Sequence, residues 1–184
     1  MEPVQRHSRS LSPEAVALHE RSALARWLSG VLAGQYETAG DTPPDVPNQD
    51  ARTETERVRL FVNAPGGIPL PPYGSWWIDG KMMGPSSVEL ADFYRQDGLR
   101  NTGGGGPVDF LPAELEFLHF LLQHQLAAVM THQDDLANHA RSRECEFLDR
   151  FLLPWIPRFC AKGQEVTTDR FWLAVFNLLD RFLE

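Results

Sequence analysis

The stretch from Pro107 to Met130 constrains this chain more than any other. Leu115, Leu118, Leu122, Leu126 and Val129 recur at spacings of three and four, which places them on one face of a helix. Phe117, Phe120 and Leu121 widen that face, so the helix must be covered on more than one side. The rest of the fold then has to wrap around it. Asp109 stands just before the apolar run, where a carboxylate can accept unpaired amide hydrogens and meets the positive end of the helix dipole. Pro112 falls in the first turn, where a missing N–H costs little. A long apolar helix introduced by a polar corner can be core alone, or core and site together.

The other helices are read from their starts and stops. Ser12-Pro13-Glu14 combines an N-cap, a proline at the first helical position and an early acid. Leu24, Leu28, Val31 and Leu32 form the stripe of the helix that follows, with Trp27 and Tyr36 close to it. A shorter helix is expected over Ala51 to Asn63, with Val58, Phe61 and Val62 apolar. The prolines and glycines from Ala64 to Trp77 predict an aromatic-bearing loop rather than a helix. Ser86-Ser87-Val88-Glu89 fits a capping box, opening a helix that stops at Gly98. Gly103 to Gly106 reads as a flexible connection, and Thr131 to Asp135 as a break. A further helix ends at Pro154 and Pro157, and a last one begins near Thr167 with Phe171, Val175, Leu178 and Phe182 as its stripe. No period-two alternation is long enough for a sheet. The expectation is an all-α single-domain helical bundle of about six or more helices. Residues 1–11 form a flexible N-terminus and 12–184 the domain, with a Pro/Gly-rich loop at 64–77 and a Gly-rich connection at 98–107.

Composition and motifs exclude several functions. A formal net charge of -8 argues against a nucleic-acid binder, which needs a basic face. The acid is concentrated: Asp79 to Asp149 holds 12 acidic and 5 basic residues, a net of -7. Such a segment attracts a basic ligand, or simply keeps the surface solvated. Cys145 and Cys160 lie in no metal-ligand spacing and suit a reducing compartment. No signal-peptide pattern or apolar run of membrane-spanning length is seen, so cytoplasm is the default location. Glu116-x-x-His119 has the spacing of a bundle metal pair but lacks the second pair that a di-metal centre needs. No hydrolase, zincin or phosphate-loop pattern occurs, so the chain does not read as an enzyme and no cofactor is expected. Tyr73, Trp76 and Trp77 on a proline-stiffened segment are suited to anchor a peptide, or to plug one end of the bundle.

Three segments together resemble the redox-enzyme maturation chaperones of the TorD/DmsD/NarJ type. Leu60-Phe61 followed by Pro69-Leu70-Pro71-Pro72-Tyr73-Gly74-Ser75-Trp76-Trp77 is similar to that family's Leu-Phe and Pro-Pro-Tyr-x-Ser pattern. Pro107-Val108-Asp109-Phe110-Leu111-Pro112-Ala113-Glu114-Leu115-Glu116-Phe117 resembles its Pro-x-Asp-His-Leu-x-x-Glu-Leu-Glu-Phe. Residues Phe147 to Cys160 resemble its Phe-Leu-x-x-x-Leu-x-Pro-Trp-x-Pro-x-Phe. The match runs over residues 55–184 and departs at two places: Phe110 stands where the family has His, and Arg57 where it has an aromatic.

The resemblance implies a TorD-like helical chaperone without catalysis of its own. It implies a cytoplasmic protein that binds the signal peptide, often twin-arginine, or the N-terminal region of a molybdopterin oxidoreductase precursor. Cofactor insertion, folding and export timing of that client would depend on it. Its candidate client-binding residues are Tyr73, Ser75, Trp76, Trp77, Asp109, Phe110, Glu114 and Glu116, the acids as arginine partners and the aromatics for the leader's apolar part. A homodimer is possible in such a family. The competing expectations are a helical subunit held permanently in a redox complex and a metal-bundle oxidoreductase.

Overall fold

The computed structural model describes residues 11–99 and 106–183. Eight α-helices carry it: α1 Pro13–Leu32, α2 Thr53–Phe61, α3 Gly74–Asp79, α4 Pro85–Gln96, α5 Leu111–Met130, α6 Asp134–Phe147, α7 Ile156–Val166 and α8 Arg170–Leu183. A π-helical turn, Leu148–Leu152, continues α6. Among the described residues no strand forms, and no helix is long and apolar enough to cross a membrane. The fold is all-α, as the periodicity predicts.

α5 is the central element. Leu111, Leu115, Leu118 and Leu122 are fully buried along it, and Phe117, Leu121 and Leu126 nearly so. α1 lies along one side, with Leu28, Val31 and Leu32 buried. The Ser12 side chain accepts the Ala15 N–H at 3.1 Å, so the predicted N-cap is the one used. On a second side Phe93 of α4, Phe117 of α5, Phe147 of α6 and Phe151 of the π turn form an aromatic cluster, with Phe117 and Phe147 centroids 4.8 Å apart. A second cluster joins Phe61 of α2 to Phe159 of α7 and to Trp172 and Phe176 of α8. Gly163 permits this closeness: a Cβ there would sit 2.6 Å from the Phe176 ring.

Four local expectations need correction. The segment 64–77 is not loop throughout, because α3 begins at Gly74 and carries Trp76 and Trp77. Of the apolar residues named for the second helix, Phe61 is buried, together with Thr53 and Leu60, whereas Val58 of α2 and Val62 just after it are exposed. Ser86 is not the N-cap of α4; that position is Gly84. The Asp79 carboxylate instead accepts both the Ser86 N–H at 3.1 Å and the Ser86 hydroxyl at 2.6 Å. Finally, the stretch after Pro154 forms a separate helix, α7, with Pro157 tolerated in its first turn.

The break at 131–135 is as expected, with His132 in the left-handed region at φ 56°. α4 ends at Gln96, and Gly98 has a φ of 76°. The proposed flexible terminus and most of the Gly-rich connection fall outside the described residues.

Candidate functional site

Two of the sequence segments are joined by backbone. Pro72 O accepts the Leu111 N–H at 2.9 Å, and the Gly74 N–H donates to Asp109 O at 2.9 Å. These bonds form an isolated antiparallel bridge between Tyr73 and Phe110, whose rings pack 5.5 Å apart. Pro71 and Pro72 have no N–H to offer, and both their carbonyls are used: Pro71 O takes the Trp77 indole N–H at 2.8 Å. The bridge fixes where α3 starts relative to α5.

Asp109 completes that corner. Its Oδ2 accepts the Ser75 N–H at 2.8 Å, in the first turn of α3. The carboxylate expected to cap α5 therefore caps α3, while α5 starts after Phe110 with no side-chain cap. Ser75 in turn accepts the Met83 N–H on its hydroxyl at 3.0 Å and closes the turn after α3. That turn holds Met83 at φ 54°, a left-handed conformation that a methionine adopts only at a cost.

The third segment is the floor. Trp155, fully buried, stacks on Trp77 with centroids 6.5 Å apart, and Phe159 meets Trp77 edge-on at 5.9 Å. Gly74 lies against this floor, where a Cβ would come within 3.0 Å of Glu114 Oε1 and 3.3 Å of the Trp155 indole nitrogen. Glu114 is buried there. Desolvation, helped by the neighbouring Asp109 charge and opposed by the Trp155 indole N–H, pushes its carboxyl well above the usual range. Tyr94 of α4 is pushed up by the same burial and by Glu114 and Asp109. Asp109 Oδ1, Glu114 Oε2 and the Tyr94 hydroxyl have no partner among the described residues.

The eight predicted site residues therefore separate by depth. Ser75, Asp109 and Glu114 are buried and hold the corner together, so Asp109 and Glu114 are not surface partners for an arginine. Tyr73, Phe110 and Trp77 are half-buried. Trp76, 45% exposed, and Glu116 reach solvent. Phe110 and Glu116 line a cavity of about 350 Å³ with Arg26, Gly30, Pro112 and Ala113, between α1 and the start of α5. Sequence reasoning missed the apolar facet beside Trp76: Ile78, Met82 and Met83 are all exposed, Met83 by 75%. The adjacent Met82-Met83 was the available signal, since methionine suits adaptable binding surfaces.

Other chemistry is accounted for by structure. His119 Nδ1 lies 2.8 Å from the Ser22 hydroxyl and 2.9 Å from Ser22 O, which ties α5 to α1. No group of three or more metal-ligating side chains occurs among the described residues. Cys160 is buried and its thiol is pushed far up by desolvation, whereas Cys145 is exposed.

Comparison with known proteins gives three results. The family model described as nitrate reductase delta subunit matches residues 30–161, which include all eight candidate residues. A perchlorate reductase assembly chaperone protein of Dechloromonas aromatica (strain RCB) is 36% identical over 99 residues, 53% of this chain and 43% of that protein. The Tat proofreading chaperone DmsD of Salmonella typhi is 34% identical over 105 residues, 55% of this chain and 44% of that protein. The chain thus aligns with less than half the length of these relatives. Among solved structures, a redox enzyme maturation protein from Archaeoglobus fulgidus superposes with a TM-score of 0.53 over 97% of both chains at 18% identity, a likeness of fold.

Proposed function

The chain belongs to the nitrate reductase delta subunit family, and on that premise we propose that it is a cytoplasmic chaperone for a molybdopterin oxidoreductase subunit. It binds the signal peptide or N-terminal region of that precursor and holds it while the cofactor is inserted and the subunit folds. It carries out no reaction itself. The names of its relatives, one a reductase assembly chaperone and one a Tat proofreading chaperone, support this reading. The observation that carries it is the exposed segment from Trp76 to Met83. Four large apolar side chains stand in solvent on a corner fixed by the Tyr73–Phe110 bridge and the Asp109 cap. A rigid base with adaptable apolar side chains lowers the entropic cost of gripping a peptide.

Charge supports the kind of peptide. The region from Asp79 to Asp149, net -7, contributes the Asp109–Glu116 side of the corner and favours a basic leader. The test is titration of the protein with a synthetic leader in which two arginines precede an apolar run. Binding should weaken as salt rises. Trp76→Ala should weaken it by roughly 30-fold, the loss expected of a hot-spot aromatic. A leader that binds no better than the same peptide with glutamines for its arginines would remove the basic-leader reading. Recovery of the protein from its native cytoplasm in a salt-resistant complex, with no free pool, would favour a permanent subunit.

A further inference from the structure

The outer face of α5 carries a run of three cavities that share their walls. The first, about 350 Å³, is the one bordered by Phe110, Ala113 and Glu116. The second, about 380 Å³, takes Ala113 and Glu116 from it and adds Tyr94, Phe117 and Phe120. The third, about 410 Å³, begins at Phe120 and lies between α5 and α6, walled by Leu121, Ala127, Ala128, Leu136 and Ala140. Ala113, Glu116, Phe120, His124, Ala127 and Thr131 follow one another at spacings of three and four, so they form one stripe along the helix. The cavities are thus one track that leads from the candidate site to the far end of α5.

The third cavity lies where the first turns of α6 bury no side chain against α5. The buried residues of α6 are Glu144 and Phe147, both at its C-terminal end. Nearer its start, alanines at 127, 128 and 140 are too small to fill the seam, and Leu136 is left 56% exposed. A leucine at a helix–helix seam ordinarily closes it. The space is therefore apolar, open, and of the size of a ligand pocket, roughly 300–1,000 Å³.

Charge decides what it takes. Glu116, exposed on the track, has no ion-pair partner among the described residues. Asp134 and Asp135 are exposed at the other end of the crevice, also unpaired among the described residues. Arg143, the cation at the crevice wall, is spent on Asp97 and Glu146. The track is polar at its first cavity and apolar at the α5–α6 crevice, flanked by the free carboxylates of Glu116, Asp134 and Asp135 against Arg26, the unpaired cation that lines its first cavity among the described residues. A second copy of this chain would bring like charge to it, and a neutral apolar segment would leave the carboxylates unused.

We propose that this track binds the client leader lengthwise, with a basic residue at Glu116 and the apolar run that follows it seated in the α5–α6 crevice. The inference rests on the chaperone reading and extends it: the leader is gripped by α5 and α6 as well as by the Trp76–Met83 facet. Glu116 to Ala127 spans about 17 Å of helix axis. An extended peptide covers that in about five residues. The apolar side chains that enter the crevice therefore lie about five residues beyond the arginine.

The test uses the full chain and the same synthetic leader, followed by fluorescence anisotropy and hydrogen exchange. Ala140→Trp fills the crevice, and Leu136→Asp makes it acidic from an exposed position that cannot disturb the core. Each should weaken binding by tenfold or more with unchanged circular dichroism. Glu116→Gln should flatten the salt dependence. Bound leader should protect amides of residues 134–143, and a photoreactive group five residues after the arginine should crosslink to Leu136 or Ala140. Leader binding by the wild type that survives both crevice substitutions would overturn the track and leave the chaperone reading standing. No binding by the wild type would overturn both. Concentration-dependent dimerisation that protects residues 134–143 without leader would assign the crevice to a second copy and overturn the proposal.

Discussion

Asp109 offers the sharpest test of how the corner is built. Its Oδ2 holds the Ser75 N–H at 2.8 Å, and both residues are buried. Asp109→Ala would leave that amide without an acceptor and without water, a cost of about 1–3 kcal/mol. A second effect opposes this one. The carboxylate has an unpartnered Oδ1 and disfavours the charged form of Glu114 beside it, so removing its charge returns part of the loss. The net expectation for Ala is a loss of about 1–2 kcal/mol, in line with the removal of a helix cap. Asp109→Asn keeps an acceptor and drops the charge, and should stay within about 0.5 kcal/mol of wild type. Urea unfolding of the three proteins measures this, with leader affinity determined on the same samples. If Asp109 acts only by holding α3, Asn keeps the affinity and Ala loses it along with stability. A stable Asn variant that binds leader tenfold more weakly would show that the Asp109 charge touches the client, and the assignment to the scaffold would be wrong.

Further outcomes follow from the same geometry. Met83→Gly removes a side chain from a left-handed position that costs a non-glycine residue about 1–2 kcal/mol; thermal unfolding should show no loss of stability, while leader affinity falls because an exposed anchor is gone. Glu114 has a folded pKa above its unfolded value of 4.5, so the fold binds the proton more tightly than the unfolded chain does. Its contribution is fully present below that value and is lost as pH rises towards the folded pKa. Glu114→Gln should therefore be relatively more stable at pH 8 than at pH 5 when compared with wild type, as read by denaturant midpoints; a difference independent of pH would mean Glu114 is ionised in the fold. Leu118→Ala, at a fully buried position on α5, should cost about 2–5 kcal/mol in urea unfolding, and a loss below 1 kcal/mol would contradict the central place of that helix.

What could be read from the sequence depended on how far away the stabilising partner lies. The start of α1 is set by Ser12 and Ala15, three residues apart, and was legible. The start of α3 is set by Asp109, 34 residues away, so Gly74 to Asp79 looked like more of a proline-rich loop. The same holds for Asp79, which takes the capping role that Ser86 seemed to have. Glu114 was expected as an arginine partner only through the family resemblance, and nothing in its local sequence marks it as buried. Only the approach of Gly74 and Trp155 puts it inside. The helical stripe of α5 was plain, yet which part of it stays open depends on α6, whose small residues carry no period of their own. Tyr73 and Phe110 came together through motif resemblance rather than through any property of either residue, and the bridge between them supplies the physical reason.

That bridge also gives meaning to the departure at Phe110. A histidine at this position would present ring nitrogens beside Tyr73, whereas phenylalanine offers only a ring that packs on the tyrosine at 5.5 Å. The corner is then apolar on its outer side, from Phe110 and Tyr73 to the exposed Trp76 and Met83, and acidic only where Glu116 emerges. On the proposed reading, recognition of positive charge falls to the exposed carboxylates along α5 and α6, because Asp109 and Glu114 are buried. In such an arrangement the inner acids decide whether the corner stands, and the outer acids and aromatics decide what it holds. Under that proposal stability and client choice would change through different residues, with Gly74 and Asp109 constrained by their neighbours inside and Glu116, Leu136 and Met83 exposed to the client.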